Sequence, residues 1–195
     1  MKIVLAQISP HLGDIEKNLG LHLRTIAKAR RQKAELVVFP ELSLTGYTLM
    51  DLVPDVALEP AKHALFRELI AASRTIDIAL GFVEERGQGL FYNSAAYLSA
   101  GRIAHIHRKA FLPTGGMFEE AKFFARGRTF EAFPTRFGKA GLMICRDFLS
   151  YGAGYLYLAG RADLIIVLSA APGRGMTAGN AFATSHMWEL MGEAI

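Results

Sequence analysis

The chain has 195 residues, of which 51% are hydrophobic, and its formal net charge is +4. This length is ample for one domain with a large core and short for two, so we expect a single domain over residues 1–195. One cysteine excludes an intrachain disulfide and is typical of a reducing compartment. Because no apolar run is long enough to cross a bilayer and the N-terminus lacks a signal-peptide pattern, the sequence predicts a cytoplasmic protein without membrane contact.

The basic residues are mostly dispersed along the chain, and a single cluster lies in a predicted helix at 15–34. The members of this cluster are Arg24, Lys28, Arg30, Arg31 and Lys33. They lie opposite the apolar positions Leu19, Leu23 and Ile26, which is typical of a solvated helix face. No aromatic residues interleave with them to stack on bases, so we expect no nucleic-acid partner.

The first hundred residues alternate between apolar runs and helical spacing. Residues 3–8 predict a strand buried on both faces, and residues 35–39 predict a second strand that Pro40 stops. The helix at 15–34 lies between them. Strand, helix and strand in this order indicate a parallel sheet.

The remaining residues continue the mixed pattern. Further strands are predicted at 76–83, 91–99, 102–108, 129–133, 140–145 and 163–169, and further helices at 60–75, 150–160 and from about 178 to the end. The predicted fold class is therefore α/β with mixed sheets. The last predicted helix carries no stop signal, so we expect the C-terminal part of the domain to be missing.

Three polar residues follow predicted buried strands directly. These residues are Glu41, Lys109 and Cys145. Ligands of α/β sheets bind at the carboxyl ends of strands, so the three side chains could meet there. A carboxylate can take the thiol proton, and an ammonium can stabilise the oxyanion of a tetrahedral intermediate. Such a set could open an amide, a carbamoyl group or a nitrile.

Each of these residues also has an ordinary structural interpretation. An apolar-flanked cysteine is commonly a small core residue, a glutamate after a strand is commonly a loop carboxylate or a helix cap, and a lysine is commonly solvated. Spacing alone does not decide between the two interpretations.

Three other site chemistries compete with this set. His186 or His107 could replace Glu41 as the base of a Cys–His hydrolase. The His105-x-His107 pair lies on one strand face, but two ligands fall short of a zinc site, so we expect no metal. The glycines of 173–179 have the spacing G-x-G-x-x-x-G rather than that of a dinucleotide loop, and they indicate a flexible strand-to-helix connection.

Several segments resemble, in order, the motifs of the nitrilase (carbon–nitrogen hydrolase) superfamily. Residues 39–47 resemble PELxLTGY, and residues 141–147 resemble GvxICxD. The other matching segments are 92–95 (YNSA), 107–113 (similar to YRKxxLP), 118–127 (similar to FDExRYFxxG) and 188–190 (similar to WxxL). Together they extend over essentially the whole chain.

The resemblance implies an αββα sandwich that pairs with a second copy, hence a homo-oligomer. It implies Glu41 as general base, Lys109 as oxyanion stabiliser and Cys145 as nucleophile. Glu120 matches the second glutamate of the family, which orients the lysine and the substrate. The backbone N–H of Arg146 would serve the oxyanion hole, although the family often has Tyr or Glu at this position.

The reaction implied is hydrolysis of a non-peptide carbon–nitrogen bond in a small linear amide or carbamoyl compound, through a cysteine thioester and without a cofactor. The opening at 7–15 also resembles the glutaminase domain of glutamine-dependent NAD synthetase, so a glutaminase that supplies ammonia is the near alternative. A catalytically inactive scaffold is a further alternative. Tyr47 and Arg174 are the candidates for substrate contacts, Arg174 because guanidinium matches carboxylate geometry.

Overall fold

The computed structural model describes residues 1–171, and they form eight strands and five helices. The strands are β1 (Ile3–Leu5), β2 (Leu36–Val38), β3 (Asp77–Glu85), β4 (Phe91–Ser99), β5 (Arg102–Arg108), β6 (Phe133–Thr135), β7 (Gly138–Ile144) and β8 (Leu164–Leu168). The helices are α1 (Ile15–Arg31), α2 (Val53–Val56), α3 (Ala64–Ala72), α4 (Glu120–Phe123) and α5 (Tyr151–Ala159). The helix predicted from about residue 178 lies outside the described residues.

The strands form two mixed sheets. The first has the order β1-β2-β3-β4-β5, in which β1, β2 and β3 run parallel and the last two pairings are antiparallel. The second has the order β6-β7-β8, with β6 antiparallel and β8 parallel to β7. Ligands of α/β sheets bind at the carboxyl ends of strands, so the segments that directly follow β2 and β7 are candidate positions for a site.

Alternation along the strands divides their side chains between two cores. In β2, Leu36 and Val38 pack against Leu142 and Ile144 of the second sheet, whereas Val37 packs on the helix side. The helices α1 and α3 cover the outer face of the first sheet, and α5 covers the second sheet. The order of layers is helix, sheet, sheet, helix, which confirms the predicted αββα architecture.

Two sequence predictions about strands are wrong in detail. The run 3–8 forms only the short edge strand β1, and its Leu5 is 79% exposed, so this strand is not buried on both faces. The strand predicted at 129–133 lies instead at Phe133–Thr135, where it pairs with the start of β7. The other predicted strands and helices within the described residues are present, with ends shifted by a few residues.

The basic cluster of the predicted helix lies on the exposed side of α1 and just beyond its end. Asp14 caps the N-terminus of α1, because its side chain accepts a hydrogen bond from the Lys17 N–H, and the helix buries Leu19 and Ile26. Within residues 1–171, none of the helices has the length and apolar character needed to cross a membrane.

Candidate active site

Glu41 lies in a tight turn directly after β2. Leu42 has a left-handed φ of 49°, and the Gly46 N–H closes the turn by donating to the Leu42 carbonyl at 2.7 Å. The turn packs directly on β3 at Gly81, where an added Cβ would lie 2.3 Å from the Leu42 nitrogen. The close approach leaves Glu41 only 2% exposed, so its carboxylate is inside the protein rather than in a solvated loop.

Lys109 follows β5 and is fully buried. Its N–H donates to the Asn93 carbonyl at 2.9 Å, which extends the pairing of β5 with β4 by one residue. Its carbonyl accepts from the Gly127 N–H at 2.8 Å. Lys109 is therefore fixed on both sides of its Cα, and its ammonium must find partners within the core.

The Lys109 ammonium lies between two carboxylates. Its Nζ is 2.6 Å from Glu41 Oε1 and 2.7 Å from Glu120 Oε1. Asn93 donates to the same Glu41 oxygen at 2.8 Å, and the Ala170 N–H donates to Glu41 Oε2 at 3.1 Å. The structure thus brings Glu41, Lys109 and Glu120 into one buried cluster.

Cys145 begins the 3-10 turn Cys145–Leu149 at the end of β7. Its φ of 46° is left-handed, which is uncommon for a residue other than glycine. The side chain is half-buried, and the charges of both Glu41 and Lys109 act on its thiol. The cysteine is therefore next to the cluster of Glu41, Lys109 and Glu120 and is held in an unusual backbone conformation.

Burial and the negative charge of Glu41 raise the pKa of the Cys145 thiol to about 11, and the Lys109 charge only partly opposes this. At neutral pH the resting thiol is protonated. Attack by the Cys145 sulfur therefore requires a base to take the proton.

The pKa of Lys109 lies above its ordinary value. Burial alone would lower it, but the carboxylates of Glu41 and Glu120 outweigh that effect, so the ammonium stays charged. The pKa of Glu120 is raised by burial, against the opposing charge of Lys109. Glu120 Oε2 is buried and has no hydrogen-bond partner, so this oxygen is free to bind a donor.

Tyr47 joins the cluster through Glu120. Its hydroxyl donates to Glu120 Oε1 at 2.5 Å, and burial together with the two carboxylates raises its pKa. The ring contacts Phe118 edge-on, with centroids 6.4 Å apart. Tyr47 is thus a hydrogen-bond donor to the cluster, and a direct contact with substrate remains a prediction.

A small cleft of about 40 Å³ opens beside Tyr47 and Glu120. Its walls come from residues 42–53 and 117–124, and they are mainly apolar, with Phe118 and Phe123 among them.

The other candidate residues have different positions. Arg146 is exposed, and Arg174 and His186 lie outside the described residues. His107 does not lie free to act as a base, because its Nε2 is 2.9 Å from the carboxylate of Asp147. His105 stacks on Phe133 at 4.4 Å. In the part of the chain that the structure describes, no group of three or more potential metal ligands comes together.

Two polar residues of the site received no role from the sequence. Asn93 binds Glu41, and the YNSA segment was the signal that could have indicated it. Asp147 is fully buried and receives four hydrogen bonds around Lys109 and Cys145. Its position two residues after the cysteine was visible, but its partners depend on contact between the two sheets.

The comparison with protein families agrees with the two-sheet sandwich. The family model described as carbon-nitrogen hydrolase matches residues 2–195. The chain therefore belongs to the carbon–nitrogen hydrolase family, as the motif resemblance predicted.

The most similar relatives include glutamine-dependent NAD(+) synthetases. That of Acinetobacter baylyi is 33% identical over 171 residues, which cover 88% of this chain and 31% of the relative. The chain thus spans about a third of the length of these relatives.

Solved structures show the same fold. The NAD+ synthetase of Acinetobacter baumannii superposes with a TM-score of 0.81 at 29% identity, covering 96% of this chain and 35% of that one. An amidase from Nesterenkonia superposes with a TM-score of 0.78 at 23% identity, covering 89% of this chain and 66% of that one.

Proposed function

We propose that this protein hydrolyses the carbon–nitrogen bond of a small linear amide through a thioester on Cys145. The observation that carries the proposal is the Lys109 ammonium, buried between Glu41 and Glu120 and close enough to Cys145 to act on its pKa. A fully buried ammonium between two carboxylates costs desolvation energy, and catalysis gives a reason to keep it.

In the first half of the reaction, Glu41 takes the Cys145 proton as Sγ attacks the substrate carbonyl carbon. The resulting oxyanion is stabilised by the Lys109 ammonium and the backbone N–H of Arg146. The carbon–nitrogen bond then breaks, and the leaving nitrogen takes the proton from Glu41, so that ammonia or an amine departs and a thioester remains.

In the second half, water attacks the thioester carbon and gives its proton to Glu41. Collapse of the second tetrahedral intermediate breaks the carbon–sulfur bond, and the thiolate recovers the proton, which releases a carboxylic acid. Glu120 Oε2, buried without a partner, is the acceptor we assign to the N–H₂ group of the substrate amide. No step requires a metal or a cofactor.

Glutamine is the second candidate for the amide. It is favoured by the 33% identity with the NAD(+) synthetase of Acinetobacter baylyi over 88% of this chain. The apolar walls of the cleft beside Glu120 favour instead a plain aliphatic amide. The two substrates differ by a charged amino-acid end, so one assay can separate them.

The test is ammonia release from aliphatic amides of increasing chain length, glutamine, N-carbamoyl amines and nitriles. Wild type and Cys145→Ala are assayed side by side, with Glu68→Gln, at an exposed glutamate of α3, as a control. We expect turnover of at least one amide by the wild type and by Glu68→Gln, and none by Cys145→Ala. A folded wild-type protein that releases no ammonia from any of these compounds would contradict the proposal and favour a scaffold.

A further inference from the structure

Lys109 and Cys145 come from different sheets. Lys109 follows β5 of the first sheet, and Cys145 follows β7 of the second. No strand pairing connects β5 with β7, so backbone hydrogen bonds of the sheets do not fix the separation between the ammonium and the thiol. Oxyanion stabilisation depends on that separation, since donors must lie at the position where the charge develops.

Asp147 makes the missing connection with both carboxylate oxygens. Its Oδ1 accepts from the N–H groups of Ala110 at 3.0 Å and Phe111 at 2.9 Å, directly after Lys109. Its Oδ2 accepts from the Ile144 N–H at 3.1 Å, directly before Cys145. One fully buried side chain therefore binds the backbone on the C-terminal side of the lysine and on the N-terminal side of the cysteine.

His107 completes the arrangement from β5. Its Nε2 lies 2.9 Å from Asp147 Oδ2, and because a carboxylate only accepts, Nε2–H is the donor. His107 is 2% exposed and its ring packs on Phe130 with centroids 5.2 Å apart, so it is fixed in place. All four donors to Asp147 are thus within three residues of either Lys109 or Cys145.

The backbone of Cys145 adds a second reason for such support. Its left-handed φ of 46° is an unfavourable conformation that persists only when the surroundings hold it. The bond from the Ile144 N–H to Asp147 closes the 3-10 turn around this residue. Loss of the carboxylate would release the turn and the lysine loop together.

We propose that Asp147 and His107 are positioning residues that hold the Lys109 ammonium and the Cys145 thiol at a fixed separation across the two sheets. The inference rests on the proposed roles of Lys109 and Cys145 in amide hydrolysis. Neither positioning residue touches the reacting atoms, so their effect must appear in kcat rather than in substrate binding.

The test compares Asp147→Asn, His107→Leu and His107→Gln in the full chain. Asparagine keeps the shape but loses one acceptor oxygen, leucine removes the donor, and glutamine restores an N–H near the position of Nε2. Asp77→Asn is the matched control. Asp77 is also a buried aspartate, 3% exposed, and accepts from Tyr97 and Ser99 away from the site.

We expect Asp147→Asn and His107→Leu to lower kcat by about 100-fold with little change in KM, because a misplacement of about 1 Å has that cost. His107→Gln should recover most of the wild-type kcat. Asp77→Asn should have the wild-type kcat despite a lower Tm. Alkylation of Cys145 by iodoacetamide at pH 9 should slow in the same two variants, since Lys109 then no longer favours the thiolate.

The alkylation readout separates two kinds of failure. If the wild type hydrolyses no amide, the proposed function fails, and alkylation rates still report whether Asp147 holds the site. If folded Asp147→Asn has the kcat and the alkylation rate of the wild type, the positioning role of Asp147 is contradicted. It is also contradicted if Asp77→Asn lowers kcat or the alkylation rate as much as Asp147→Asn does.

Discussion

The buried cluster contains two carboxylates and one ammonium, so its charges do not balance when all three groups are ionised. Burial raises the pKa of Glu120, against the opposing charge of Lys109, and its Oε2 has no hydrogen-bond partner in the free protein. Glu41, by contrast, accepts hydrogen bonds from Lys109, Asn93 and the Ala170 N–H with its two oxygens. The two glutamates have different hydrogen-bond environments, and in the proposed reaction Glu41 accepts the proton whereas Glu120 orients the substrate amide.

Glu41→Gln should affect hydrolysis and alkylation in opposite directions. Loss of the base should lower kcat by about 100-fold or more. Loss of its negative charge should lower the pKa of Cys145 from about 11, and each unit of decrease gives about ten times more thiolate at pH 9. The measurement is the iodoacetamide rate between pH 7 and 11, with Glu68→Gln, at an exposed glutamate of α3, as the control. An unchanged or slower rate at pH 9 would show that Glu41 does not act on the thiol.

At the scale of single residues, the sequence predicted those members of the candidate site whose side chains directly follow a strand. Glu41, Lys109 and Cys145 stand at such positions, and the structure places all three around one buried centre. Asp147 and His107 were not predictable in their roles, because their contact joins residues 40 positions apart in two separate sheets. A sequence pattern shows which residues share a face of one helix or strand, but it does not show which residues of two packed sheets come into contact.

Among the elements, β3 allows the Glu41 turn to pack closely on it because Gly81 has no side chain. An added Cβ at Gly81 would lie 2.3 Å from the Leu42 nitrogen and 2.8 Å from the Pro40 oxygen, and both are backbone atoms that cannot rotate away. Gly81→Ala should therefore displace the turn, destabilise the protein by about 1–3 kcal/mol and remove most of the hydrolytic activity.

Gly152→Ala is the control for this substitution, because the nearest atom to its added Cβ is a serine oxygen at 3.8 Å. Urea unfolding and ammonia release measure the two effects for each variant. Gly81→Ala with the stability and activity of the wild type would show that the turn tolerates a shift away from β3.

The strand predictions are wrong where the position of a strand depends on which other strands it pairs with. Residues 3–8 are apolar throughout, and such a run does not distinguish a central strand from an edge strand such as β1, whose Leu5 is largely exposed. The bounds of β6 are set by its pairing with β7, which the sequence does not contain as a local pattern. The helix α4 has only four residues and begins at Glu120, too short for a periodic signal.

At the scale of the whole molecule, α1 connects the outer helix layer to the site. His22 of α1 is fully buried, binds the Asn18 carbonyl at 2.7 Å and the Ser43 hydroxyl at 3.0 Å, and packs on Phe39 just before Glu41. The neutral imidazole of His22 therefore contacts both the helix layer and the Glu41 turn, and its protonation would place a charge in the core.

This contact predicts a specific loss of stability in acid. Burial lowers the pKa of His22 from 6.5 to about 4 in the folded protein. As the pH falls below 6.5, the unfolded chain takes up a proton that the folded protein does not, so the free energy of unfolding decreases until the pH reaches about 4. The decrease from this residue is about 3 kcal/mol at most.

Urea unfolding between pH 7 and 4.5 measures this dependence. His22→Gln keeps an acceptor for the Ser43 hydroxyl and removes the titrating group, so its free energy of unfolding should be lower at pH 7 and fall less steeply with acid. The burial of His105, whose pKa is also lowered to about 4, leaves a residual slope of the same sign. Substitution of the exposed His11 by glutamine should keep the wild-type slope. If His22→Gln also keeps it, the protonation of His22 is not what weakens the contact between α1 and the Glu41 turn.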